Sequence, residues 1–137
     1  MDDNFDKILF IPHPVFKKEL DDFIQNHCSG MSSSELIIQQ HKNLLKAQLF
    51  NKETVIGPKH FGLATGFGAY EVYFLHMSIE DSGLKKKQMP KAFIYKQGNI
   101  VSMLCIGSHI DNYKNDKLIK VAQLRLREII EVIKDQS

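Results

Sequence analysis

The residues best suited to chemistry lie where an apolar stretch, Ile100 to Ile106, runs out in Gly107-Ser108 and delivers His109, with Tyr113 four positions further on. An imidazole titrates near neutral pH, so His109 can take a proton from a ribose 2′-hydroxyl or return one to a leaving 5′-oxygen. Tyr113 can stack on a base or donate its phenol. The plain alternative for His109 is a histidine that only hydrogen-bonds within a turn. Nearby cations favour the chemical reading: Lys85, Lys86, Lys87 and Lys91 lie in one connection, Lys96 stands at a predicted hairpin, and Lys114 follows Tyr113. Gathered at one end of a sheet, these ammonium groups would hold phosphates and offset the charge that builds on a phosphorus under attack. Scattered, they are a solvated loop.

Other candidates are weaker. His76 shares strand parity with Tyr70, Val72 and Phe74, so it either faces the site or is a satisfied sheet histidine. His60, ahead of a glycine-rich stretch, can reach the same place. His13, His27 and His41 read as ordinary surface or flank residues. Ser108 lacks the G-x-S-x-G elbow of a nucleophile and has no evident acid partner. Gly62, Gly66 and Gly68 carry no G-x-x-x-x-G-K-[ST] pattern and lead into a strand, which argues against a nucleotide site. Cys28 and Cys105 are far apart and outside any Cys/His cluster, so free thiols and no metal or other cofactor are expected.

These residues need elements to position them. A chain of 137 residues with 43% apolar content and nine phenylalanines can bury one core, so a single domain over 1–137 is expected. Lys+Arg exceed Asp+Glu by 18 to 16, a balance that by itself does not signal a nucleic-acid binder. The acidic start, Met1-Asp2-Asp3-Asn4-Phe5-Asp6, is unlike a secretory signal, and no apolar run approaches a membrane span. A cytoplasmic protein with no membrane partner is expected.

Lys7 to Ile11 predicts a strand closed by Pro12 and Pro14. Apolar positions Phe16, Leu20, Phe23 and Ile24 predict a helix over about 14–28, stopped near Ser29-Gly30. Ser32 and Glu35 form a capping-box pair ahead of a second helix running to about residue 50. Residues 60–68 read as a loop. Strands follow at 70–79, 92–95 and 100–106, the last two joined by a hairpin at Gln97-Gly98-Asn99. Asn115 or Asp116 caps a final helix whose Leu118, Ala122, Leu126, Ile129 and Ile133 form one stripe. The expected fold is α+β, β-α-α-β-β-β-α, an antiparallel sheet packed by two N-terminal helices and a C-terminal one.

The element order and the ending from Ile100 to Tyr113 resemble the RelE/ParE superfamily of toxins. His109 and Tyr113 match the YafQ-type pattern of a strand ending in Ser-His with an aromatic four residues later. Phe61-Gly62, the strand bearing His76, Phe93-Ile94-Tyr95 and the following helix look more like the YafO branch. The likeness covers roughly residues 60–134; the N-terminal half matches by element order alone. It implies a RelE-like fold and a ribosome-associated, metal-independent mRNA endonuclease that cuts by 2′-oxygen attack and is held inactive by a cognate antitoxin. It also implies a homodimer or a hetero-oligomer with that antitoxin. Carried over by position, His109 is the acid or base, Tyr113 the stacking aromatic, Lys96 a phosphate contact and His76 a further catalytic residue. The chain departs from the superfamily in arginine: Arg125 and Arg127 are its only two, both in the last helix. Two other readings stay open, a non-catalytic gyrase-inhibiting toxin of the ParE kind and a protein-interaction domain on the same fold.

Overall fold

Alternating apolar positions build five strands, and in the computed structural model, which describes residues 8–29 and 33–135, they form one mixed sheet. The elements are β1 (Leu9–Phe10), α1 (Phe16–His27), α2 (Ser34–Leu45), β2 (Phe61–Leu63), β3 (Glu71–His76), β4 (Lys91–Gln97), β5 (Ile100–Gly107) and α3 (Asn115–Asp135). A π turn, Lys46–Phe50, prolongs α2 to the predicted limit. Short 3₁₀ turns occupy Lys86–Gln88 and His109–Asp111. The protein is thus α+β, with sheet order β1-β5-β4-β3-β2. Among the described residues no helix is long and apolar enough to cross a membrane.

Strands β2 to β5 are an antiparallel meander, with Gly98-Asn99 turning between the paired Gln97 and Ile100. Two features differ from the sequence expectation. First, β1 runs parallel to β5, its ladder continued by the amides of Ile11 and His13 donating to Val101 and Met103, so the sheet is mixed rather than antiparallel. Second, Phe61–Leu63, read as loop, is a strand. Its central Gly62 sits beneath Phe74, whose ring edge would stand only 3.0 Å from an added Cβ. Here glycine serves close packing in a strand, which a sequence reading takes for a turn.

Each sheet face has its own core. One side buries Leu75, Ile94, Val101 and Met103 under α1 and α2, with Phe16, Leu20, Ile37 and Leu45 from the helices. The other buries Val72, Phe93, Tyr95 and Leu104 under the predicted stripe of α3. Full burial of a Leu or Ile contributes about 1.5–3 kcal/mol, so these stripes, more than local propensity, hold the helices in place. Capping differs in detail. Ser33 accepts from the amide of Leu36 at the start of α2, while Ser32 lies outside the described residues. At α3, the Lys114 carbonyl accepts the first helical bond, from Leu118, so Asn115 is already inside the helix and not its cap.

Strand β5 carries a bulge. Phe93 opposes Cys105 while Ile94 opposes Met103, leaving Leu104 without a partner on β4. The Leu104 carbonyl instead accepts from Arg125 at 3.0 Å. That guanidinium also grips Glu19 of α1 through two bonds of 2.5 and 2.7 Å, tying α1 to α3. His13, buried at 6% exposure, makes a second tie: its Nδ1 accepts from the Val15 amide, so its Nε2 donates to Glu128 at 2.7 Å. The surface role expected of His13 is therefore corrected.

Candidate functional site

One row of residues crosses the end of the sheet where β3 finishes and β5 delivers His109. His76 pairs with Lys91, Lys91 with Gly107, and the His76 amide donates to the His60 carbonyl on the outer side. By strand alternation His76 and Lys91 share the α3 face with Phe74 and Phe93. The row opens into a cleft of about 570 Å³ lined by His60, His76, His109, Tyr113, Lys86, Lys87 and Lys91. Its far wall is largely apolar, with Leu44, Ile56, Leu75, Met77 and Met89.

Local structure explains how His109 is presented. Ser108 caps its 3₁₀ turn by accepting from the Ile110 amide, and donates to the Gln88 carbonyl at 2.5 Å. That bond fastens the lysine-bearing connection to the histidine turn, a structural task that accounts for Ser108 without any nucleophile. Asp111, inside the same turn, meets Nε2 of His27 on α1 at 2.7 Å. The turn closes at Asn112 in the left-handed region (φ +55), which asparagine tolerates better than most residues. The His109 and Tyr113 rings then lie 5.0 Å apart, tilted at 47°. Gly107 permits this approach: a Cβ there would lie 2.9 Å from Leu118 and 3.1 Å from the Tyr113 ring.

The electrostatics of the row are distinctive. Partial burial, then the neighbouring charges of His60, Lys91 and His109, hold the His76 imidazole below its ordinary value, which favours its neutral form. Its Nδ1 is 3.3 Å from Nδ1 of His60. Lys91 lies over the rings of Phe74 and Phe93 at 5.5 and 5.3 Å and donates to the Asn115 side chain at 2.8 Å. Partial burial lowers its pKa, and also raises that of the Tyr113 phenol.

Of the expected site residues, the cleft brings together His109, Tyr113, His76, Lys86, Lys87 and Lys91. Lys85 and Lys114 are exposed outside its lining. Lys96 is separated from it. It sits five residues along β4 from Lys91, about 17 Å away at roughly 3.4 Å per residue, with its ammonium over Phe50. Being in the hairpin that joins the last strands puts Lys96 at the opposite end of the sheet from the strand tip that bears His109.

His41 was missed. It is 1% exposed, its Nδ1 donating to the Ile37 carbonyl at 2.7 Å and its Nε2 accepting from the Ser78 amide at 3.1 Å. With both nitrogens so engaged it is neutral, and burial depresses its pKa. It fixes the backbone beside the cleft where β3 ends. Among the described residues no group of three or more His, Cys, Asp or Glu is arranged to cage a metal ion. Comparison with protein-family models, curated proteins and solved structures finds no match to this chain.

Proposed function

We propose that this cleft binds single-stranded RNA and cuts it by 2′-oxygen transesterification, on a scaffold of the RelE/ParE toxin type. The observation that carries the reading is the assembly of His60, His76 and His109 with a phenol and three ammonium groups in one cleft, whose lining also includes the structural His41. Its volume falls within the roughly 300–1,000 Å³ of small-ligand sites. In the reaction, neutral His76 takes the 2′-hydroxyl proton as O2′ bonds to phosphorus, and the bond from phosphorus to O5′ breaks. His109 protonates the departing O5′, leaving a 2′,3′-cyclic phosphate. Lys86, Lys87 and Lys91 hold the phosphate and offset its developing charge. Tyr113, against His109, provides a face for a base.

The α+β architecture, with two helices on one face of the sheet and the C-terminal helix on the other, is compatible with that family. On this reading the protein is the toxin of a toxin–antitoxin pair, acting in the cytoplasm on mRNA at the ribosome and silenced by a protein antitoxin. The test is induction in a bacterial host with primer extension on cellular mRNA. Wild type is expected to arrest growth and leave discrete cuts, and His109→Ala to do neither while keeping its circular dichroism. Undiminished arrest by a folded His109→Ala would refute the nuclease.

A further inference from the structure

We propose that His60 and His76 form a two-histidine clip for a late divalent transition ion such as Zn²⁺, and that the ion, once bound, switches off RNA cleavage. The argument is geometric. Two nitrogens bound to one tetrahedral Zn²⁺ at about 2.0–2.1 Å are separated by about 3.3–3.4 Å. Nδ1 of His60 and Nδ1 of His76 stand 3.3 Å apart, with ring centroids at 5.4 Å and planes inclined at 59°. The separation of the two nitrogens already matches that of a shared ion, and each ring need only turn so that its nitrogen points at the ion instead of at its neighbour.

The backbone preorganises the pair. His76 ends β3 and is bonded through its amide to the carbonyl of His60, in the turn just before β2, so the two residues sit abreast. Both residues are exposed, which leaves an entry path and room for water to complete the coordination. Imidazole nitrogen suits Zn²⁺, Cu²⁺ and Ni²⁺ over Mg²⁺ or Ca²⁺, which take oxygen. Lys91 and His109 face the same cleft and oppose a cation, so the clip is a regulatory site of moderate affinity and not a permanent metal centre. Neutral imidazole is the ligand, so protons compete with the ion for the two nitrogens.

The inhibitory half rests on the nuclease reading, because a metal on Nδ1 of His76 removes the proposed proton acceptor. The binding half does not. Calorimetric titration of the metal-free full chain with Zn²⁺ should give one ion per chain. Cu²⁺ bound in its place should show nitrogen coupling in its electron paramagnetic resonance spectrum. His60→Ala and His76→Ala should each weaken Zn²⁺ binding by no less than the roughly 10- to 100-fold that loss of an outer-shell partner costs. His27→Ala, outside the cleft, should leave it unchanged. Absence of one-to-one binding, or binding that survives either clip variant, overturns the site. Zinc binding without RNA cleavage in chelator would defeat the nuclease alone; cleavage in chelator that added Zn²⁺ leaves untouched would defeat the switch alone.

Discussion

Replacing His41 by leucine tests how the cleft wall is built. The leucine roughly fills the space, and the Ile37 carbonyl keeps its helical partner, but the Ser78 amide loses its acceptor, now 3.1 Å away. An orphaned donor of this kind costs about 1–3 kcal/mol, a sizeable part of the roughly 5–15 kcal/mol that stabilises a domain. The pH dependence gives the sharper signature. Burial lowers the folded-state pKa of His41 below its ordinary 6.5. The unfolded chain therefore binds the extra proton first as pH falls. The stability His41 contributes is fully present above about pH 6.5 and is lost progressively from there down through the folded value. His41→Leu has no such loss. Urea unfolding from pH 8 to 5 should thus show the variant about 1–3 kcal/mol less stable at high pH. Below pH 6.5 the gap should narrow, by at most about 1.4 kcal/mol per pH unit. All other ionisable groups are common to both proteins and cancel. Parallel curves would refute the assignment of a buried neutral imidazole.

Three further outcomes follow from the geometry. Gly107→Ala puts a methyl 2.9 Å from Leu118 and 3.1 Å from Tyr113, so denaturant unfolding should register an overpacking cost of about 1–3 kcal/mol; an unchanged midpoint would mean the contact relaxes freely. His27→Phe keeps a ring against Phe23 but releases Asp111; RNA cleavage kcat should fall while stability moves by less than about 1 kcal/mol, and an unaltered kcat would make the tether incidental. Neutralising Lys86, Lys87 and Lys91 together should flatten the log–log salt dependence of single-stranded RNA binding by about two units, at roughly 0.7 per phosphate contact; an unaltered slope would make them bystanders.

Much of this was legible in the sequence because periodicity encodes it. The stripe on α3, the meander of the last strands and the Gly98-Asn99 turn are local patterns, and each appears where its residues predict. Parallel pairing of β1 with β5 is not local: nothing in Leu9-Phe10 names a partner some ninety positions away. His41 was legible and misread. It sits four residues after Ile37 and four before Leu45, on the buried stripe of α2, and only its polar type suggested solvent. His13 gave no such signal, since its burial depends on Glu128 of a distant helix. The lysines were grouped by nearness in sequence, whereas the cleft selects by strand position, keeping Lys91 and losing Lys96.

The bulge decides on which face the reactive turn emerges. Before it, Val101 and Met103 point into the core beneath α1 and α2. Leu104 and Cys105 then both face α3, so the alternation slips by one and Ile106 returns to the first side. Gly107 is thereby set under Leu118 and Tyr113, on the face that also presents His76 and Lys91. In an unbulged strand the alternation would put residue 107 on the opposite face, and the turn carrying His109 would leave the sheet away from that row. Arg125 keeps the extra residue in place by occupying the carbonyl that the ladder cannot use. An arginine conspicuous for its absence from the strands thus acts through the backbone, holding the irregularity that brings an imidazole and a phenol to the lysines.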